Sequence, residues 1–449
     1  MSLMISVSGI RGIFGTDLTP DVLVQFTAAY GTWLKGGTVV IGRDSRVTGE
    51  ICEEIVSATL RSTGCDVIHV GVVPTPTVAM SVLRHGADGG IILTASHNPA
   101  EWNALKLLNG KSEFLDAAQG EEVLQLSGEK SFSYKMYDGI GVRSDDTDAV
   151  SSHIQAILNL PYIDQKLIRD AGFTVAVDAV NGAGSVALPR LLESLGVNVH
   201  KLYCEPNGLF PHNPEPLPQH LTEICNVVRE NGYDLGIATD PDADRLALID
   251  ENGKLLGEEY TQVSAFDFML SKRSGPTATN LSSSRAAEDI TTRFGEICHR
   301  SAVGEINVVK KMQETGAVIG GEGNGGVINP DLHYGRDALV GSAMFLQLLA
   351  ERELSASEYR NTLPDYAIIK DRIRLDELGM EADDVLEKLG RTFADQNPDT
   401  TDGVKINFRD GWVHFRKSNT EPIVRIYAEA ATSEQASELA QRVTVSVLD

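Results

Sequence analysis

The chain has 449 residues and a formal net charge of −24, from 39 lysines and arginines against 63 aspartates and glutamates. Nucleic acid and anionic membranes are not expected as partners, because both repel a diffuse negative field. No apolar stretch approaches the roughly 20 residues needed to span a bilayer, and no signal peptide is expected. The five cysteines are scattered without a Cys-x-x-Cys pair, which predicts neither a zinc site nor a disulfide framework. A reducing, cytoplasmic setting is therefore expected.

Short apolar runs alternate with longer helical patterns, which is typical of α/β architecture. Three segments begin alike, at 37–42, 173–178 and 276–280, where a β-rich run enters a loop of small or polar residues. A helical pattern follows, as at 51–63 and 186–195, and then two more strands. The predicted second strands are 65–70, 197–202 and 296–299, and the third strands are 89–94, 234–239 and 317–320. The sequence therefore predicts three related α/β domains, each with a polar loop at the strand end where ligands usually bind.

The last part of the chain has a different pattern. A helical pattern at 382–393 leads to two alternating runs, at 412–416 and 423–428, that flank a polar loop. A helix is predicted over about 434–445, so this part reads as a smaller α+β domain. The predicted domain boundaries are 1–143, 144–249, 250–363 and 364–449.

An acidic loop follows the third strand of the second unit. Asp240, Asp242 and Asp244 alternate there, and in extended backbone this spacing puts three side chains on one side. Three close carboxylates repel each other unless a cation lies between them. Hard oxygen ligands suit Mg²⁺, which keeps a position for a phosphate or phosphoserine oxygen. An acidic turn between two buried strands is the alternative, and Arg245 excludes an EF-hand because it replaces the glycine of that calcium loop.

The corresponding loop of the first unit reads Thr-Ala-Ser-His-Asn-Pro at 94–99. A serine at a strand's end can act as a nucleophile or carry a phosphoryl group, but its hydroxyl needs a neighbouring base or metal. His97 is adjacent to Ser96, and Lys106 follows in the same segment. An ordinary Ser/Asn turn is the alternative. No Gly-x-Ser-x-Gly elbow surrounds the serine, which argues against an α/β-hydrolase.

Two further loops have ligand-binding chemistry. The loop at 416–422, with Arg425 beyond it, combines cations, hydroxyls and an amide in the way that a phosphate dianion requires; a solvated hairpin turn is the alternative. The glycines of 320–326 allow a ligand to approach the backbone closely, while Glu322 and Asn324 can hydrogen-bond sugar hydroxyls. A flexible lid without direct contacts is the alternative for this second loop.

Two glycine-containing segments are ambiguous by themselves. Residues 182–187 formally fit a dinucleotide fingerprint, with Glu205 about 20 residues further on. A lone fingerprint is weak and the unit lacks a partner half, so a tight strand-to-helix turn is predicted instead. No P-loop pattern occurs. Arg11, in the Gly-Ile-Arg-Gly segment at 9–12, either contacts a phosphate or lies on a surface turn.

Taken together, these motifs resemble a known family, the α-D-phosphohexomutases, which include phosphoglucomutase, phosphomannomutase and phosphoglucosamine mutase. The resemblance covers essentially the whole chain. It implies three similar α/β domains with mixed sheets and a smaller C-terminal α+β domain around a central cleft. The ordered motifs that carry it are 94–99, 240–245, 321–324 and 416–422, with 9–12 and 206–214 in support.

The resemblance also implies the roles of individual residues. Ser96 would carry a phosphoryl group, and Mg²⁺ would be bound by the three aspartates and an oxygen of phosphorylated Ser96. The phosphoserine would give its phosphoryl group to a phosphorylated hexose or hexosamine, and the resulting sugar 1,6-bisphosphate would turn around and return the other phosphate. His97 or Lys106 would do acid–base work. The other implied residues are the cations Arg11, Lys106 and Arg245, the sugar-binding residues Glu322, Asn324 and Glu305, and the phosphate-binding residues Arg416, Ser418, Asn419, Thr420 and Arg425.

The sugar is harder to predict. Many mannose- and glucose-type members carry serine where Asn324 stands, and 304–307 and 320–326 look closer to archaeal-type phosphoglucosamine mutases. A carboxylate such as Glu305 or Glu322 suits a 2-amino group, although common bacterial phosphoglucosamine mutases have Gly rather than Asn in the phosphate loop. The sequence favours a phosphoglucosamine mutase; the alternatives are a phosphomannomutase or phosphoglucomutase, and a metal-dependent sugar phosphatase. Monomer and homodimer both stay open.

Overall fold

The computed structural model describes residues 3–6, 9–375, 380–417 and 423–448. The chain divides into two compact units. The first unit comprises Met1–Phe268 with Asn324–Arg360, and the second comprises Met269–Gly323 with Asn361–Asp449. In the described part of the chain, no helix combines the length and the apolar character that crossing a membrane requires.

Strands and helices alternate along most of the chain. The elements up to residue 272 are β1 (Met4–Ser6), β2 (Gly9–Ile13), α1 (Pro20–Trp33), β3 (Gly37–Arg43), α2 (Gly49–Ser62), β4 (Cys65–Val72), α3 (Thr75–His85), β5 (Gly89–Leu93), β6 (Trp102–Asn109), α4 (Ala117–Gly128), β7 (Arg143–Asp145), α5 (Ala149–Leu158), α6 (Gln165–Ala171), β8 (Thr174–Asp178), α7 (Gly184–Ser194), β9 (Asn198–Leu202), α8 (Thr222–Asn231), β10 (Leu235–Thr239), β11 (Leu246–Ile249) and α9 (Glu258–Lys272).

The elements that follow residue 272 are β12 (Thr277–Asn280), α10 (Ala286–Arg293), β13 (Cys298–Ser301), α11 (Glu305–Thr315), β14 (Ile319–Glu322), β15 (Gly326–Ile328), α12 (Ala338–Arg352), α13 (Ala356–Arg360), β16 (Ala367–Arg374), α14 (Ala382–Thr392), β17 (Val404–Asn407), β18 (Gly411–Lys417), β19 (Ile423–Ala430) and α15 (Ser433–Leu448), with a 3₁₀ turn at Ala394–Gln396.

The first unit contains two mixed sheets. One has the order β1-β2-β6-β5-β3-β4-β7, with β3 parallel to β4 and β5 and antiparallel pairs from β5 to β1. Val39, Val40 and Ile41 of β3 are all fully buried, as a strand covered on both faces requires. The other sheet has the order β11-β10-β8-β9, with β8 parallel to its neighbours and β11 antiparallel to β10. The loops that follow β5 and β10 are the predicted serine and acidic loops.

The second unit combines a parallel arrangement with an antiparallel sheet. Strand β12 pairs in parallel with both β13 and β14. Beyond it, the antiparallel sheet β16-β19-β18-β17 packs its apolar face against α14 and α15 through Leu389, Val413, Phe415 and Val443. The predicted fold class, mixed α/β with a smaller C-terminal α+β part, is confirmed.

Two predicted strands are displaced along the chain. A strand was expected at 296–299, but β13 begins at Cys298. A strand was also expected at 317–320, but β14 begins at Ile319. In both cases the preceding residues close a helix instead. The amide of Glu296 donates to Thr291 O at 3.2 Å, and that of Ala317 donates to Met312 O at 2.9 Å. Glu322 is consequently the last residue of a strand and not part of the glycine-rich loop.

Candidate active site

The acidic loop between β10 and β11 is buried. Asp240, Asp242 and Asp244 are at most 1% exposed, and each offers a carboxylate oxygen within 4.8 Å of the other two. The expected extended backbone was wrong: Ala243 has a φ of 51°, and its amide donates to Asp240 O at 3.0 Å. The three carboxylates therefore converge because the backbone turns at Ala243. In an extended strand, alternating side chains would lie on one face but further apart.

The protein compensates the charges of these carboxylates unequally. Burial, with the charges of Asp244 and Asp242, raises the pKa of Asp240 well above its usual range. Burial also opposes ionisation of Asp242, but the charge of Lys106 and hydrogen bonds from Lys106 and Thr75 together hold the pKa of Asp242 below its usual range. The Oδ1 atoms of Asp242 and Asp244 are buried and have no hydrogen-bond partner among the described residues. A set of buried, unpaired hard oxygens is compatible with a divalent cation such as Mg²⁺.

Ser96 lies beside this loop, on the turn after β5. Its Oγ donates to Asp240 Oδ2 at 2.8 Å and lies 3.4 Å from His97 Nδ1. Ser96 is buried, and its φ of 50° places it in the left-handed region. Because a serine disfavours that conformation, the surrounding structure must hold the loop. The structure thus brings the predicted nucleophile together with the predicted metal ligands.

Three of the predicted cations and His97 lie in the same unit. Lys106 Nζ lies 2.7 Å from Asp242 Oδ2 and 3.8 Å from Asp244 Oδ2. Arg11 Nη1 donates to Asn98 Oδ1 at 2.6 Å. The Arg245 amide donates to Asp240 Oδ1 at 3.1 Å, and its guanidinium lies 3.5 Å from Glu215. Burial, with the charges of Arg245 and Arg11, lowers the pKa of His97 to about 2, so its imidazole is neutral near pH 7.

Arg46, to which the sequence interpretation assigned no role, anchors the serine loop. Its side chain is fully buried, and Nε donates to Asp44 Oδ2 at 2.9 Å. The two terminal nitrogens donate to the carbonyls of Ser96 at 2.6 Å, Asn98 at 2.7 Å and Pro99 at 2.5 Å. The available signal was the Arg-Asp-Ser-Arg segment at 43–46, which follows a buried strand at the same sheet edge as the serine.

Three further residues support the acidic loop from outside the predicted set. Thr75 Oγ1 donates to Asp242 Oδ2 at 2.8 Å, and Arg336 Nη2 donates to Asp244 Oδ2 at 2.7 Å. A Cβ at Gly182 would lie 2.6 Å from the backbone of Pro241, so glycine is needed for the close approach of this turn to the acidic loop. The predicted strand-to-helix turn at 182–187 is confirmed, since α7 begins at Gly184.

The predicted sugar-binding residues are divided between the two units. In the second unit, Glu322 is buried, and its Oε1 accepts from Asn280 Nδ2 at 2.9 Å and from the Gly304 amide at 3.3 Å. Glu305 follows Gly304 at the first position of α11 and so lies near Glu322. Asn324 belongs to the first unit, where its Oδ1 accepts from the Gly326 amide at 3.3 Å.

The predicted phosphate-binding arginines are neighbours on the antiparallel sheet of the second unit. Arg416 of β18 stands directly opposite Arg425 of β19, which in turn stands opposite Arg372 of β16. Arg372 was not predicted. Like charges directly opposite each other are unfavourable. Asp402 Oδ2 lies 3.6 Å from Arg416 Nε, and an anion bound beside the arginines would offset the repulsion further. Ser418, Asn419 and Thr420 lie outside the described residues.

Nearly the whole chain matches the domains of one known protein family. Its residues 3–134, 151–253 and 257–366 match the alpha/beta/alpha domains I, II and III of phosphoglucomutase/phosphomannomutase, and 372–445 match the C-terminal domain. A phosphoglucomutase/phosphomannomutase of Thermococcus kodakarensis is 37% identical, covering 98% of this chain and 97% of that protein. A probable phosphoglucosamine mutase of Methanopyrus kandleri is 35% identical, covering 98% and 96%.

A solved structure has the same fold. The phosphoglucomutase/phosphomannomutase family protein of Burkholderia thailandensis aligns with a TM-score of 0.85 at 26% identity, covering 99% of this chain and 98% of that one. The four-domain architecture and these relatives define a mutase enzyme of the isomerase class. The chain belongs to the phosphoglucomutase/phosphomannomutase family. The predicted family and the predicted phosphohexose mutase activity are both confirmed.

Proposed function

We propose that this enzyme interconverts hexose 1-phosphates and 6-phosphates through phosphorylated Ser96 and a sugar 1,6-bisphosphate, with glucosamine phosphate as its preferred substrate. The observation that carries the proposal is the hydrogen bond from Ser96 Oγ to Asp240 inside a buried triad of carboxylates. A phosphoryl group on this oxygen would add negative charge beside three buried carboxylates, so a cation in addition to Lys106 and Arg336 would stabilise a phosphoserine there. Mg²⁺ held by the triad and a phosphoserine oxygen would offset charge on the transferring group.

The residues of the first unit carry the transfer. A sugar hydroxyl oxygen forms a new bond to phosphorus as the bond from Ser96 Oγ to phosphorus breaks, and Ser96 Oγ takes up the proton that the sugar hydroxyl gives up. Lys106, Arg11 and Arg245 offset negative charge around the transferring oxygens. Acid–base work in this proton transfer falls to His97 or Lys106, the two candidates. The bisphosphate then turns around and returns its other phosphate to Ser96.

The remaining proposed ligands recognise the parts of the substrate that do not react. Glu322 and Asn324 hold sugar hydroxyls, and a carboxylate such as Glu322 or Glu305 suits the ammonium group of a 2-amino sugar. Support for this preference comes from the bonds that bring Glu322 to Gly304, immediately before Glu305. The non-transferring phosphate is bound by guanidinium, hydroxyl and amide groups. These belong to Arg416, Ser418, Asn419, Thr420 and Arg425, to which we add Arg372.

One assay tests both the reaction and the sugar. Purified protein with Mg²⁺ and a trace of sugar 1,6-bisphosphate is given glucosamine, mannose and glucose 1-phosphates in parallel. We expect 6-phosphates without free phosphate, fastest from glucosamine 1-phosphate. Release of inorganic phosphate would support the phosphatase instead, and a faster reaction with mannose or glucose phosphate would refute the preferred sugar.

A pair of serine variants tests the phosphoserine. Ser96→Ala is expected to lose mutase activity, because no other hydroxyl replaces the phosphoryl carrier. Ser112→Ala is the matched control: Ser112 is equally buried in the same unit, and its hydroxyl has no hydrogen-bond partner among the described residues. This variant should keep full activity. Full activity in Ser96→Ala would exclude the proposed mechanism.

A further inference from the structure

Three separate segments of the first unit hold the backbone of the acidic loop. Three consecutive carbonyls of the loop each accept a hydrogen bond from a different segment: the turn before α7, the first residue of α3, and the first residue of α12. The pairs are Ala183 N to Pro241 O at 2.7 Å, Thr75 N to Asp242 O at 2.9 Å, and Ala338 N to Ala243 O at 3.2 Å.

Two of these segments also hold the carboxylate side chains. Thr75, at the start of α3, binds one oxygen of Asp242, and Arg336, just before α12, binds one oxygen of Asp244. The positions of the beginnings of α3 and α12 therefore bear on the separation of the two carboxylates, which Lys106 also contacts directly. Because a small octahedral cation tolerates little variation in its ligand positions, this distance bears on Mg²⁺ binding.

A buried imidazole joins the same two helices. His153, on α5, lies 2.9 Å from Thr77 Oγ1 through Nδ1 and 2.9 Å from Asp337 Oδ2 through Nε2. A carboxylate only accepts, so Nε2 is the donor to Asp337, and in a neutral imidazole Nδ1 accepts from the Thr77 hydroxyl. The other oxygen of Asp337 caps α12 by accepting from the amides of Leu339 and Val340. All of these side-chain contacts are buried.

We infer that His153 is a positioning residue for the metal site, joining α3 to α12 so that Asp242 and Asp244 stand at the separation that the cation requires. This inference rests on the metal binding of the proposed function. The imidazole is a rigid spacer with two nitrogens at a fixed distance, and each is committed to one helix. Neither helix start can move without leaving a buried polar atom of this link unpaired, which is unfavourable.

Two variants of Thr77 test the link without changing any metal ligand. Thr77→Val keeps the side chain's shape and removes the hydroxyl; Thr77→Ser keeps the hydroxyl and removes a methyl group. Mg²⁺ is titrated calorimetrically into each dephosphorylated protein. We expect Thr77→Val to weaken Mg²⁺ binding about tenfold, the lower end of the effect of losing a direct partner of a metal ligand, because Thr77 acts through His153 and Asp337. Thr77→Ser should bind Mg²⁺ as the original chain does.

The mutase assay gives a second readout. In Thr77→Val the Mg²⁺ concentration for half-maximal activity should rise about tenfold, while kcat at saturating Mg²⁺ stays unchanged because the carboxylates are intact. A general loss of packing would instead lower kcat at every Mg²⁺ concentration. If Thr77→Ser weakened binding as much as Thr77→Val does, the effect would arise from packing, and the inference would be overturned.

A matched control tests whether losing a hydroxyl partner of any buried histidine would have the same effect on Mg²⁺ affinity. Ser57→Ala removes the hydroxyl that bonds His69 Nε2 at 2.8 Å, between α2 and β4, and should leave Mg²⁺ affinity unchanged. If Ser57→Ala and Thr77→Val bound Mg²⁺ with equal affinity while Asp242→Asn bound none, the role of His153 would be refuted and the metal site of the proposed function would stand. If Asp242→Asn bound Mg²⁺ like the original chain, the metal site of the proposed function would fail, and this inference with it.

Discussion

Replacing Arg46 by lysine tests whether the guanidinium fork holds the serine loop in its left-handed turn. Arginine spans four acceptors, namely Asp44 Oδ2 and the carbonyls of Ser96, Asn98 and Pro99. Lysine keeps the charge, but its three donors sit on one nitrogen and cannot span the same positions. We expect the ammonium to stay beside Asp44 and to reach one carbonyl, which leaves two carbonyls without their donor.

The size of the effect follows from these contacts. A hydrogen bond to a charged group contributes about 1.5–3 kcal/mol, so two lost bonds destabilise the loop by about 3 kcal/mol at the lower end. This corresponds to a roughly 100-fold increase in the opening equilibrium of the loop. Opening is favoured further because Ser96, at a φ of 50°, regains an ordinary conformation once its carbonyl is released.

Hydrogen exchange at the loop measures that opening. The amide of Ser96 donates to Thr94 Oγ1 at 2.9 Å, and that of Asn98 donates to Ala95 O at 3.1 Å, so both are protected in the closed loop. In Arg46→Lys these two amides should exchange about 100-fold faster.

Arg61→Lys is the control for this experiment, because Arg61 Nε donates to one backbone carbonyl elsewhere in the unit, Gly141 O at 2.9 Å. It should leave exchange at Ser96 and Asn98 unchanged. Unchanged exchange in Arg46→Lys as well would refute the claim that the fork holds the loop.

Three further changes have defined outcomes. Gly182→Ala should lower the free energy of urea unfolding by about 1–3 kcal/mol because its Cβ meets a neighbouring backbone. The control Gly120→Ala, in open space on α4, should stabilise the protein. An unchanged free energy of unfolding in Gly182→Ala would contradict the close approach of the two turns. Burial lowers the pKa of His414 from 6.5 to about 4, so the unfolded chain takes up the proton first and stability falls by about 3 kcal/mol from pH 6.5 to 4. In thermal unfolding measured at several pH values, His414→Asn should remove this fall in stability. If the stability of the variant fell with pH as steeply as that of the original chain, His414 would not be the cause. Arg372→Met should raise KM for the sugar phosphate about tenfold with little change in kcat, and an unchanged KM would remove Arg372 from the phosphate site.

The local sequence pattern was sufficient to predict the order of strands and helices and the chemistry of each loop taken singly. The apolar runs predict the strands that lead to the serine and acidic loops, since a strand buried on both faces is a short continuous apolar run. The composition of each loop then identifies a nucleophile beside His97 and a set of hard oxygen ligands. Strand starts were predicted less well at Cys298 and Ile319, because closing a helix depends on hydrogen bonds that the apolar pattern does not show.

The sequence by itself thus determined the order of strands and helices and the residue types of the reactive loops, because both depend on neighbours along the chain. The tertiary structure alone decided which buried polar groups meet. Arg46 lies 50 residues from Ser96, Thr75 lies 167 from Asp242, and His153 lies 184 from Asp337. The turn at Ala243 that gathers the three carboxylates was decided in the same way. A buried donor is satisfied by whichever acceptor the packing brings near, and sequence distance does not enter that choice.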